Sequence, residues 1–300
     1  MVKSTEPASA QSFQPYFGAR RFEHLPEGPG KPSVRKIYSL DFSGNCTYGF
    51  NSLGFRGPDP RPDARARIFA VGCSLTIGVG IEFEETWSYR FKLRYAEALG
   101  CAADEVDLLN FAEAGSSNDY IARTAISQCE RVVPDLVLVL FTEQARVETF
   151  LPDRMCAQIG PWWTSLEQAL RTMPQIPPAQ RSVGEMVVET AKRFYTFYED
   201  DFGLMNSLKN IALLQFYCQA RGIPHAIAWT NHEVLSDNSL REDQLFGPVI
   251  GSIDVSRVCP WSINDKGILV DTAADGRHPG RESNERFAAR LFDHYKALDS

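Results

Sequence analysis

Three side chains of this sequence have the types and the spacing for acyl-transfer chemistry. Ser74 ends the stretch "ARIFAVGCS", directly after an apolar run and a Gly-Cys turn, and Asp275 and His278 stand three residues apart in "DTAADGRHPG" near the C-terminus. A serine hydroxyl is a weak nucleophile until a base takes its proton, and histidine is the side chain whose pKa suits that task near neutrality. An acid beside the histidine fixes its tautomer and stabilises the imidazolium that forms. The reaction also needs donors for the oxyanion, which backbone N–H groups at Ser74 and at Gly115 could supply. Each piece alone also reads as ordinary structure: Gly-x-Ser is a common turn, and an isolated Asp-x-x-His occurs widely.

These residues need elements to bring them together. The runs "ARIFAVG" (66–72), "VDLLNFA" (106–112), "DLVLVLFT" (135–142) and "PHAIAWT" (224–230) are short and apolar without clean alternation, the pattern of strands covered on both faces. Between them, Ile121, Ala125, Cys129 and Val132 recur at helical spacing after a Ser/Asn cap at 117–118. Leu204, Leu208, Ile211 and Leu214 do so before Gly222 and Pro224, and Phe287, Leu291, Tyr295 and Leu298 near the end. The alternation predicts an α/β fold, a three-layer α/β/α flavodoxin-like sandwich with a central parallel sheet of about five strands. Ligands of such sheets sit beyond the carboxyl ends of the strands. Ser74, Gly115 with Ser116, and Thr142 to Arg146 all fall at such ends.

Two regions depart from the pattern. Residues 1–65, with "YSLDFSGNCTYGFNSLGFRGPDPRPDAR", read as an N-terminal arm or accessory element on a main domain of 66–300. Residues of about 147–200, with "GPWWTSLEQALRTMPQIPPAQ" and "EMVVETAKRFYTFYED", read as a helical, aromatic-rich insertion covering the site. Within it Trp162, Trp163, Phe194, Tyr195, Phe197 and Tyr198 have the chemistry to stack on a sugar or line an acyl pocket, and equally to pack as core.

Composition narrows the partners. The 300 residues are 44% hydrophobic and 23% charged, enough for a sizeable core, and the net charge of −7 gives no field for nucleic acid. No apolar run has signal-peptide or membrane-spanning length, so a cytoplasmic protein without a membrane span is expected. The seven cysteines form no C-x-x-C pair, and His24, His225, His232 and His294 lack paired ligand spacing, so neither a metal nor another cofactor is expected. Oligomeric state is not legible.

In order and position, three blocks resemble those of the SGNH/GDSL hydrolases. "GCSLTIGVG" is similar to their first block, G-D-S-x-T after the first strand. "NFAEAGSSND", with Asn110 and Gly115, is similar to the second, and "DGRHPG" to the last, D-x-x-H-P before the C-terminal helix. The likeness spans roughly 45–298 and includes the lead-in "FNSLGFRG". It implies Ser74 as nucleophile, His278 as base and Asp275 as orienting acid, with the N–H groups of Ser74 and Gly115 in the oxyanion hole. Two blocks depart from the pattern. Cys73 replaces the Asp of the first, its thiol either a second nucleophile or a packed core group, and "FTEQAR" (141–146) replaces G-x-N-D, so the third oxyanion donor becomes Asn118 or Gln144. Arg146 and Glu148 then form a polar patch that binds substrate or locks the loop. The function implied is a serine esterase acting on a carboxylic ester, such as an O-acetyl group on a carbohydrate or small molecule. An O-acyltransferase with the same triad and a non-catalytic binding protein on the same fold are the alternatives.

Overall fold

In a computed structural model the described residues are 33–34, 46, 48–150, 156–164 and 178–298. His24, most of the N-terminal arm and parts of the insertion lie outside them.

Four apolar runs form one parallel sheet: β3 (Ala66–Gly72), β4 (Val106–Asn110), β5 (Leu136–Phe141) and β8 (His225–Trp229), in the order β4-β3-β5-β8. Ala70 pairs with Asn110 on one side and Leu138 on the other, and Leu140 pairs with Ala228. Both faces are covered, which is why the strands carry apolar residues without alternation. Successive side chains still point to opposite faces. Phe69, Val71, Val137 and Val139 meet the helices Asn118–Cys129 and Asp200–Arg221. Ile68, Ala70, Leu138 and Ala228 meet the helices Trp87–Ala98 and Arg281–Leu298. On that second face the small Ala70, Ala226 and Ala228 leave room for Trp87 and Phe287, whose rings meet edge to face with centroids 5.5 Å apart. The expected three-layer α/β/α sandwich is therefore present.

The sheet has four strands among the described residues rather than about five. A fifth position is held only by a single parallel bridge between Ile227 and Val258, with Cys259 N–H donating to the Ile227 carbonyl at 2.7 Å. The chain then turns through "CPWSINDKG", whose Pro, Ser, Asn, Asp and Gly favour turns over a ladder. Val132 also departs from expectation: the helix ends at Cys129 and Val132 is 42% exposed. Pro134 disfavours helical geometry at the residue before it, so the helix stops short.

The described part of the insertion opens as an antiparallel hairpin, β6 (Val147–Phe150) with β7 (Cys156–Ile159), followed by a short turn at Pro161–Thr164 and the helix Pro178–Thr196. Trp163, Val187, Val188 and Ala191 give it a small core of its own. From the arm, Ser33–Val34 (β1) pairs with Gly49–Phe50 (β2).

Candidate active site

Ser74 stands where β3 ends. A Cβ at Gly72 would lie 2.0 Å from Thr76 Oγ1 and 3.1 Å from the Leu140 carbonyl, so only glycine lets the chain turn there. Ser74 then opens a single helical turn, Ser74–Ile77, in which the N–H groups of Thr76 and Ile77 both donate to the Cys73 carbonyl at 3.0 Å. Cys73 is fully buried while Ser74 is half-buried. The Cys73 thiol is thus packed in the core, whereas Ser74 is partly accessible.

A remote cation holds this turn. The buried Arg56 guanidinium donates from Nη1 to the carbonyls of Ile77 and Gly78 and from Nη2 to that of Ile81, each at 2.6 Å. Arg56 also lies over the Tyr48 ring at 4.3 Å, and the Tyr48 hydroxyl accepts the Gly80 N–H at 2.7 Å. The lead-in "FNSLGFRG" thereby clamps the segment that follows Ser74. The motif is visible in the sequence but its target is not, because it lies 21 to 25 residues further on.

Asp275 and His278 sit on a tight loop closed by an antiparallel bridge between Thr272 and Pro279 and by Ala273 N–H donating to the His278 carbonyl at 2.7 Å. The Asp271 carboxylate secures its base by accepting the N–H groups of Glu282 and Ser283 at 2.9 and 2.8 Å, which caps the last helix. His278 Nδ1 and Asp275 Oδ2 are 2.5 Å apart, and the N–H groups of His278 and Arg277 donate to Asp275 Oδ1 at 3.0 and 3.1 Å. Burial pushes the Asp275 carboxyl up, but these N–H groups and the imidazole outweigh it and hold the acid below its ordinary value. An ionised carboxylate only accepts, so Nδ1 carries the proton in this pair and Nε2 remains as the basic edge.

The two halves meet at Gly80, in the left-handed region at φ +80°, where a Cβ would lie 2.9 Å from that of Ala273. The Gly80 carbonyl accepts the Ala274 N–H. Ser74 and His278 share no hydrogen bond. Such bonds are often formed only once substrate is present.

The loop after β4 closes against the same strand end. Glu113 N–H and Ser116 Oγ both donate to the Gly72 carbonyl at 3.1 Å, and between them Gly115 takes a left-handed φ of +82°. Among the described residues the N–H groups of Ser74 and Gly115 have no hydrogen-bond partner. Asn110 is buried and structural, donating to the Thr76 carbonyl at 2.8 Å.

The third-donor expectation divides. Asn118 is 1% exposed, and its amide donates to the Thr142 carbonyl at 3.0 Å and to Ser207 Oγ at 2.8 Å while accepting the Thr142 N–H at 2.8 Å. Both of its N–H groups are committed to tying loops together in this structure. Gln144 is half-buried, and its Oε1 accepts from Asn231 Nδ2 at 3.4 Å while its own N–H groups have no partner among the described residues.

Glu148 locks the insertion. It accepts from Arg123 Nε and Nη2 at 2.6 and 2.7 Å and from Gln158 Nε2 at 2.7 Å, and Gln158 Oε1 accepts from the Ser117 N–H and hydroxyl. The hairpin is thus bonded to the start of the helix beside Gly115. Trp162 follows from this placement: a Cβ on Gly115 would lie 3.9 Å from its ring, and the Arg146 guanidinium lies 5.1 Å from its centroid. The other aromatic candidates divide: Trp163 is core, Phe194, Tyr195 and Tyr198 pack on one another, and Phe197 is 85% exposed.

A second pair escaped sequence reading, because its members lie 33 residues apart: His232 Nε2 and Asp265 Oδ2 are 2.9 Å from each other. Among the described residues no group of three or more His, Cys, Asp or Glu stands close enough for a metal ion, and no helix is long and apolar enough to cross a membrane.

No protein-family model matches the chain, and no curated protein sequence does. Solved structures do resemble it. The psychrotrophic esterase EstA from Pseudoalteromonas sp., inhibited by monoethylphosphonate, is 15% identical over 78% of this chain and 100% of its own, with a TM-score of 0.42. TesA is 15% identical over 77% of this chain and 99% of its own, with a TM-score of 0.42. The family 3 carbohydrate esterase of Clostridium thermocellum is 12% identical over 78% of this chain and 99% of its own, with a TM-score of 0.36.

Proposed function

We propose that the protein is a serine esterase that cleaves a carboxylic ester through an acyl-enzyme on Ser74. The observation that carries this reading is the Asp275–His278 pair, held 2.5 Å apart on a loop hydrogen-bonded at Gly80 to the segment that follows Ser74. Ser74 Oγ attacks the ester carbonyl as its proton passes to His278 Nε2, and Asp275 stabilises the imidazolium. The oxyanion forms against the uncommitted N–H groups of Ser74 and Gly115, with the Gln144 amide as the side-chain donor. Collapse expels the alcohol, which takes the proton from His278. Water activated by the same imidazole then attacks the acyl-enzyme and releases the acid. The substrate is a small-molecule or carbohydrate ester.

Trp162 beside Gly115 favours a second reading, an O-acyltransferase, because an aromatic ring next to the oxyanion loop would limit the access of water to the acyl-enzyme. Turnover of 4-nitrophenyl acetate with and without added alcohols tests both. A serine esterase releases acetate and loses activity in Ser74→Ala. A transferase hands the acetyl group to an alcohol faster than to water, and a binding protein turns over nothing.

A further inference from the structure

We infer that the ligand of this site carries an anionic group, a carboxylate or a phosphate, bound by Arg146. The inference rests on the reading of the Ser74 region as an ester-cleaving site and names its substrate class. The Arg146 side chain is 13% exposed, and its Nε and Nη1 are buried without a hydrogen-bond partner among the described residues. Its sole ion pair there runs from Nη2 to Glu143 Oε2 at 3.3 Å, and the Glu143 side chain is 61% exposed, so solvent screens that pair. A guanidinium does not shed its charge, and buried donors left without acceptors are costly.

The neighbouring arginine shows the contrast. Arg123 is filled by Glu148 through two bonds, and that pair already fastens the hairpin. Arg146 is not needed for the lock. Its backbone is fixed none the less, because the Tyr195 hydroxyl on the helix Pro178–Thr196 donates to the adjacent Ala145 carbonyl. Trp162 ties Arg146 to the Ser74 region: the guanidinium lies 5.1 Å from its ring centroid, and a Cβ on Gly115 would lie 3.9 Å from the same indole. An anion on Arg146 would therefore sit in the same aromatic cluster as the Gly115 N–H. Planar carboxylates and phosphates are the acceptors that a guanidinium fork fits. With a net charge of −7 the protein as a whole gives no attraction for anions, so an anionic ligand would depend on local contacts such as this one.

The test compares acetyl esters that differ only in charge: 3-acetoxybenzoate, 3-acetoxyphenyl phosphate and the neutral 3-acetoxybenzamide. The wild type should favour one or both anions, and the preferred anion distinguishes a carboxylate from a phosphate site. In Arg146→Met the ratio of kcat/KM for that anion over the neutral ester should fall about tenfold or more, mostly through KM. Arg146→Lys, which keeps the charge without the fork, should fall between. An unchanged ratio, or an equal loss of kcat on all three esters, would overturn the inference and leave the esterase reading standing. Calorimetric titration of Ser74→Ala with the same esters, with and without Arg146→Met, gives the independent arm. Arg146-dependent binding of an anion by a protein whose wild type has no turnover would keep the anion site and overturn the esterase reading. Neither binding nor turnover would overturn both.

Discussion

The Gly80 carbonyl accepts the Ala274 N–H at 3.1 Å, so the turn that follows Ser74 and the loop that carries Asp275 and His278 form one hydrogen-bonded unit. Their relative position is set by backbone, supported on one side by Arg56 and on the other by the Asp271 cap.

That joint predicts how substitutions at its glycines behave. A Cβ at Gly280 would lie 2.5 Å from Asp271 Oδ2 and 2.8 Å from the Thr272 carbonyl, so Gly280→Ala must push the base of the loop apart. A loss of about 1–3 kcal/mol in chemical unfolding is expected, together with lower kcat. Full stability in Gly280→Ala would show that the loop is looser than its contacts imply.

Asp275→Asn is expected to keep the fold and lose turnover by up to about 10⁴-fold, because an amide no longer fixes the imidazole in the tautomer with a basic Nε2. Steady-state kinetics at matched melting temperature checks this. Activity within a few-fold of wild type would mean that His278 does not act through Asp275.

Gln144 and Asn118 should separate cleanly. Gln144→Ala should lower kcat on an acetyl ester by about 10²- to 10³-fold with little effect on stability, as for loss of an oxyanion donor. Asn118→Ala leaves the buried Thr142 N–H without its acceptor and removes a donor from Ser207 Oγ, and should cost about 1–3 kcal/mol of stability. Paired kinetics and denaturation of the two variants decide between these roles, and the reverse pattern would restore Asn118 as the donor.

Acid should weaken the fold partly through His225. Burial holds its imidazole below the ordinary 6.5, against the opposing pull of its hydrogen bond to the Ile223 carbonyl. The unfolded chain therefore binds a proton as pH falls through about 6.5 while the folded chain does not. Stability from this group is complete above that value and is lost as pH falls below it, until folded His225 itself titrates. Burial lowers His294 in the same sense. In His225→Gln the decline of melting temperature from neutral pH toward pH 5 should be shallower than in wild type, whereas parallel curves would remove His225 from the account.

The sheet was legible in the sequence because parallel strands buried on both faces leave unbroken apolar runs, as in "DLVLVLF". The expectation of about five strands exceeded the four that form, since the fifth position is reached only by a single bridge at Val258. Asp275 and His278 were legible because their pairing is local, and Cys73 behaves as the packed neighbour of an accessible serine. The bonds of Asn118 were not legible, because its type and position suited a donor while its N–H groups bind partly to Ser207, 89 residues away. Arg56, Trp162 and the His232–Asp265 pair act through partners distant in the chain, which spacing does not reveal.

The central claim is that Ser74 is an activated nucleophile with His278 as its base. Reaction of the purified protein with a fluorophosphonate, followed by peptide mass spectrometry, tests it most directly. The account predicts one adduct, on Ser74, formed by wild type and by Cys73→Ala and lost in His278→Ala. An unlabelled Ser74, or an adduct on Cys73 in its place, would contradict it.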